Sequence, residues 1–179
     1  MSYADPSDLK GKFRSLGERF TSVDIQKELD EANRRVHSNI GKHLIDVRYH
    51  DRGKDKYDLD FGQILEFKKI LFEDGLVNSD AYTVDEEEGT VEFNEDVLEE
   101  MYMGGQIEFY YVPKRFKDLE LTYAIEQILE LTSTEMGDEL KATKTEKLAE
   151  RIKHMEDRLK SRGNTFRTRD HKPWQHIRW

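Results

Sequence analysis

The sequence predicts an α+β fold: a helical core of three main helices, a small inserted antiparallel β-sheet and an extended C-terminal tail. Three observations predict it. Apolar residues recur every three or four positions over 22–40, 116–134 and 144–162, the period of an amphipathic helix. Over about 57–112, runs of Ile, Leu, Val, Phe and Tyr are cut by glycines and acidic turns, the texture of short strands. After Gly163 the composition turns basic and aromatic. Residues 1–162 thus read as one domain and 163–179 as an extended arm, a division that suits a chain of 179 residues.

Residues 1–20 read as irregular, with Pro6, Gly11 and Gly17, and with Phe13, Leu16 and Phe20 available to pack onto the domain. Thr21 and Asp24 have the capping-box spacing, a hydroxyl followed three residues later by an acid. Ile25, Leu29, Ala32, Val36 and Ile40 then form one apolar stripe, and Gly41 stands just past its end, so a helix is predicted over 22–40. His43–Tyr49 fits a strand or a continued helix. The polar stretch HDRGKDKYD follows. Gln63–Phe72, Ala81–Val84, Thr90–Phe93 and Gly105–Val112 read as strands, with the acidic turn DEEEG closed by Gly89, and predict one antiparallel sheet of four or five strands. The next helix, about 116–134, carries Leu121, Ile125, Ile128 and Leu131 on one face. The last, over about 144–162, starts at the Thr143/Glu146 capping-box spacing. Its stripe of Leu148, Ile152, Met155 and Leu159 is narrow, as in coiled-coil-like seams. It needs a partner helix from its own fold or from a neighbouring subunit, and the four residues are taken as a subunit contact.

Apolar residues make up 36% of the chain and charged residues 37%, which predicts a small core beneath a large polar surface. A net charge of −9 argues against general nucleic-acid binding, which needs a cationic face. The chain has no cysteine, so disulfides and cysteine–metal sites are excluded. No apolar run reaches the roughly 18–20 residues of a membrane span. The opening MSYADPSDLKGKF lacks the apolar core of a signal peptide, so the chain reads as soluble and made in the cytosol.

Catalytic signals are poor. Neither GxxxxGK nor GxGxxG occurs, and no nucleophile–base set stands out among serines and histidines. Glu73 to Glu100 contains twelve acids and no Lys or Arg. Asp85-Glu86-Glu87-Glu88 within it lacks the alternating ligands and closing Glu of an EF-hand loop, and reads as a solvated acidic turn. His37, His43, His50, His154, His171 and His176 are scattered, without the spacing of a zinc site. Met101 and Met103, beside Tyr102 and Gly104-Gly105, read as a loop edge. The sequence predicts neither an enzyme nor a cofactor or metal site.

The tail GNTFRTRDHKPWQHIRW holds both tryptophans, Trp174 and Trp179, with Phe166 and Ile177. It sets Arg167, Arg169, Lys172 and Arg178 against the single acid Asp170. Fixing seventeen residues costs more conformational entropy than these apolar side chains return without a large surface to lie on. Aromatics with Arg are what interface anchors use, so the tail is expected to order in a partner's groove.

Taken in order, TSVDIQKELDEANRRVHSNIG, then LDFGQILEFKKILFEDG, SDAYTVDEEEGTVEF and GGQIEFYYVP, then FKDLELTYAIEQILEL resemble the head–tail connector proteins of tailed bacterial or archaeal viruses. These are also called adaptor or head-completion proteins. The resemblance runs from about residue 20 to 162, and neither the polar stretch 50–60 nor the last seventeen residues map onto it. It implies a virion structural protein at the head–tail junction, synthesised in the host cytoplasm. The implied assembly is a homo-oligomeric ring, usually a dodecamer, docked under the portal protein. Double-stranded DNA passes through its lumen without sequence-specific binding, and a downstream neck or tail-completion protein attaches below. Phe166, Arg167, Arg169, Lys172, Trp174, Ile177, Arg178 and Trp179 would then be the portal-binding arm. The alternative from another class is a soluble regulatory module whose basic aromatic tail binds nucleic acid or a partner protein.

Overall fold

The computed structural model describes residues 2–12, 21–51, 53–73, 75–131 and 138–165. The fold is α+β, with the helices at one end and two antiparallel sheets at the other. A short helix, α1 (Pro6–Lys12), stands where the sequence reads as irregular; Phe13, Leu16 and Phe20 lie outside the described residues. Helix α2 (Ser22–Asn39) begins at the expected capping box. The Asp24 amide donates to Thr21 Oγ1 at 3.2 Å, and the Thr21 amide donates to Asp24 Oδ2 at 3.0 Å. Its stripe of Ile25, Leu29, Ala32 and Val36 is fully buried, and Asn33 is buried beside it.

His43–Tyr49 resolves as a strand, β1 (Leu44–Tyr49). There follow β2 (Lys56–Asp58), β3 (Ile64–Phe72), β4 (Gly75–Leu76), β5 (Tyr82–Asp85), β6 (Thr90–Phe93), a short helix α3 (Glu95–Glu100) and β7 (Gln106–Pro113). They form two sheets rather than one, a four-stranded sheet in the order β1-β7-β3-β4 and a three-stranded sheet in the order β2-β6-β5. The polar stretch 50–60 supplies a strand because Tyr57, at the centre of β2, is fully buried. Its ring lies 5.6 Å from Phe109 on β7 and 5.8 Å from Phe93 on β6, so it joins the sheets. Along β7, Ile107, Phe109 and Tyr111 are buried beneath the smaller sheet, whereas Gln106, Glu108 and Tyr110 alternate onto the outer face. The β5–β6 turn requires glycine: Gly89 has φ +73°, and a Cβ there would stand 2.1 Å from the Gly62 carbonyl oxygen.

Strand β7 runs directly into α4 (Arg115–Leu131). This helix is buried around more of its circumference than the predicted stripe, through Phe116, Leu119, Tyr123 and Ala124 as well as Leu121 and Ile128. Leu131 is exposed. Helix α5 (Asp138–Thr165) begins before the expected Thr143 start, so Thr143 is an interior residue and not a cap. The helical and β-sheet residues share one continuous apolar core.

Candidate interaction surfaces

Two polar clusters pin the body together from within. Glu120 on α4 is fully buried. The amides of Tyr3 and Ala4 each donate to it at 3.0 Å, Asn33 Nδ2 on α2 donates at 2.7 Å, and Ser2 Oγ donates to the same carboxylate. This ties the N-terminal strand of residues to both helices. The Tyr3 hydroxyl lies 2.8 Å from His37 Nε2, and burial, with the Glu120 carboxylate second, pushes its phenol up to about 12. On β1, buried Asp46 accepts from Arg48 at 3.0 Å and from the Asp60 amide at 2.9 Å. Arg48 also reaches Asp60 Oδ1 at 2.6 Å, closing the 58–61 turn onto the strand. Sequence reading missed both clusters. The signal for Glu120 was an acid standing among Phe116, Tyr123 and Ala124 on one helix face.

The stripe expected to contact another subunit lies in the chain's own core. Ile152 and Leu159 are buried, and Leu148 and Met155 pack against the same core. The first of the two open alternatives, a partner helix within the fold, is the one realised. A polar seam reinforces it: Tyr123 donates to Glu156, and Asn39 Nδ2 reaches Glu156 Oε1 at 3.1 Å. Burial pushes the Glu156 carboxyl up, but Lys160, Tyr123 and Asn39 outweigh it and hold the group below its usual range. The Arg35 guanidinium lies 4.1 Å from the Tyr123 ring centre and 2.5 Å from Glu126, locking α2 to α4.

The acidic block occupies the β-sheet end. At the β5–β6 turn, Asp85 Oδ1 accepts the amides of Glu87 at 3.0 Å and Glu88 at 2.9 Å, so this carboxylate serves the turn. Among the described residues, no group of three His, Asp or Glu side chains is arranged to hold a metal ion. His50 is buried with Nδ1 3.0 Å from the Tyr57 hydroxyl, a packing role, while His154 is exposed on α5.

Four of the largest exposed apolar side chains lie around the end of the larger sheet where β1 finishes and β7 begins: Tyr49, Leu76, Tyr102 and Met103. Tyr49 ends β1 opposite Gln106, and Leu76 pairs with Leu71 at the tip of β3. The Tyr102 ring stands 5.3 Å from Phe72. Glu73 closes this end, its carboxylate accepting the Gln106 amide at 2.6 Å. Met101 is buried, so the 101–105 loop is anchored at its start and open at Tyr102 and Met103, the loop edge the sequence predicts.

A scan of protein-family models finds no match, and neither does a search of the curated proteins. The arm residues Phe166, Arg167, Arg169, Lys172, Trp174, Ile177, Arg178 and Trp179 lie outside the described residues. No helix among the described residues is long and apolar enough to cross a membrane.

Proposed function

We propose that this chain is a ring-forming head–tail adaptor of a tailed virus. In this reading it docks under the portal at the head–tail junction, extends the DNA channel and offers a surface to the next neck or tail protein. The observation that carries the reading is the order of elements. A box-capped helix, a β-rich segment built on the SDAYTV, GTVEF and IEFYY strands and a helix leaving β7 directly are the elements in which the sequence resembles the connectors. Residues 163–179, the first three of which still belong to α5, are the arm that reaches the portal. Trp174, Trp179 and Phe166 serve as apolar anchors, and Arg167, Arg169, Lys172 and Arg178 meet acidic portal surface. The ring is a homo-oligomer, a dodecamer in the connector pattern, and DNA slides through it without being read. From Glu73 to Pro113 the chain has no Lys or Arg, so this flank repels phosphate and favours passage over retention.

The test is co-purification with the portal protein of the same virus, using the full chain and a chain ending at Arg162. The expected outcome is a stable ring complex with the full chain and loss of portal binding with the shorter one. If neither binds, the adaptor reading fails. If the full chain instead binds duplex DNA with an affinity that falls steeply as salt rises, the nucleic-acid module takes its place.

A further inference from the structure

Strand β1 inverts the usual alternation of a sheet with one free face. Asp46 and Arg48 stand opposite Phe109 and Ile107 on the buried side, where both are tied to Asp60. Its outward residues are Ile45, Val47 and Tyr49. An antiparallel sheet that meets water on one side ordinarily puts polar residues there. The register carries this outward surface across the larger sheet. Ile45 stands opposite Tyr110 and Tyr110 opposite Lys69, while Val47, Glu108, Leu71 and Leu76 form the adjacent row. Leu76 is 72% exposed, and Ile45, Val47 and Leu71 do not pack against the core. The smaller sheet covers the opposite side, through Tyr57 on Phe109.

These two rows carry one acid and one base. Glu108 accepts from Gln106 Nε2 at 2.6 Å and from the Tyr110 hydroxyl at 2.7 Å, which fixes it between Val47 and Leu71. Lys69 lies over the Tyr110 ring, 4.6 Å from its centre. An apolar face with one charge of each sign matches itself, because a two-fold contact pairs residue i with j and j with i. We infer that in the free protein two copies of this chain pack these sheet faces together, with Glu108 of each against Lys69 of the other. Sheets layered in this way sit about 10 Å apart, close enough for Ile45, Val47 and Leu71 to interdigitate. Four strands about 4.8 Å apart and six residues long at about 3.4 Å each present about 300–400 Å² per copy. That lies below the standard interface size, so the pair is transient and depends on concentration. The inference goes beyond the proposed function, since a self-matched contact closes at two copies and describes the subunit before any ring takes it.

Sedimentation velocity of the full chain, from low micromolar to near-millimolar concentration, should show a monomer passing to a dimer. Ile45→Thr/Val47→Thr keeps the β-branched shape that strands favour and removes apolar surface. It should weaken the pair by at least about tenfold. Lys69→Glu and Glu108→Lys should each leave the protein monomeric, because each sets like charges together twice. Mixed in equal amounts, these two variants should pair again, since the mixed pair restores both contacts. Val23→Thr, at an exposed apolar residue on α2, should change nothing. If the threonine variant does not fold, the mixing result decides alone. A monomer at every concentration overturns the proposal, as does association indifferent to the Ile45/Val47 change or charge variants that fail to recover on mixing. Growth past two copies that the Ile45/Val47 change abolishes also overturns it and makes this face a head-to-tail contact. No portal enters these measurements, so their failure leaves the adaptor reading standing.

Discussion

Four donors converge on Glu120, from the Ser2 hydroxyl, the Tyr3 and Ala4 amides and Asn33 Nδ2. Each carboxyl oxygen takes two of them, Oε1 from Ser2 and Ala4 and Oε2 from Tyr3 and Asn33. Glu120→Gln keeps the size and removes one of the two accepting oxygens, turning an –NH2 toward groups that are themselves donors. An unmet donor at a fully buried position costs about 1–3 kcal/mol, and hydrogen bonds to charge are the stronger kind. The variant is therefore expected to lose about 2–4 kcal/mol of unfolding free energy in a urea titration. Glu31→Gln, whose Arg34 partner is largely in solvent, should change it by less than about 0.5 kcal/mol. Equal effects would mean that the N-terminal residues are not held by Glu120. The residue scale thus separates two kinds of carboxylate that composition counts alike.

At the scale of elements, α5 is the helix whose role changed on going from sequence to structure. Its stripe is narrow, and on periodicity alone it fits an intramolecular or an intermolecular partner equally well. The structure buries Ile152 and Leu159 against the chain's own core. Ile152→Ala is expected to cost about 2–4 kcal/mol in the isolated subunit, measured by urea unfolding at concentrations where the protein is monomeric. A stripe reserved for a neighbour would leave the monomer unaffected and lower only its association. Other elements were legible because each carries its cause locally: the Thr21/Asp24 box and its stripe, the glycine that only the β5–β6 turn requires, the alternation of β7. What escaped depends on distant partners. Strand β2 exists because Tyr57 finds Phe93 and Phe109, and nothing within HDRGKDKYD announces that. The division into two sheets likewise follows from pairing partners, since β1 joins β7 while β2 joins β6. The Glu120 cluster was legible only as an acid out of place, and the open sheet end only once β1, β3, β4 and β7 were paired.

For the whole molecule the question is whether the helical end and the β-sheet end are one cooperative body. They differ in composition and could have been separate units joined by β7 and α4. The core argues otherwise, because buried side chains run without interruption from Tyr57 and Phe93 through Phe109 and Tyr111 to Phe116, Leu119 and Tyr123. A chain with one core of this size unfolds as a single cooperative unit. Phe109→Ala, in the sheets, and Leu119→Ala, in the helices, should each cost about 3–5 kcal/mol. Each should shift the far-UV helical signal and the near-UV tyrosine signal together, at the same denaturant midpoint. With two independent units, Phe109→Ala would move the tyrosine transition and leave the helical one in place, and the two probes would separate. Coincident transitions in both variants would establish that a load applied to the sheet end is felt by α4 and α5.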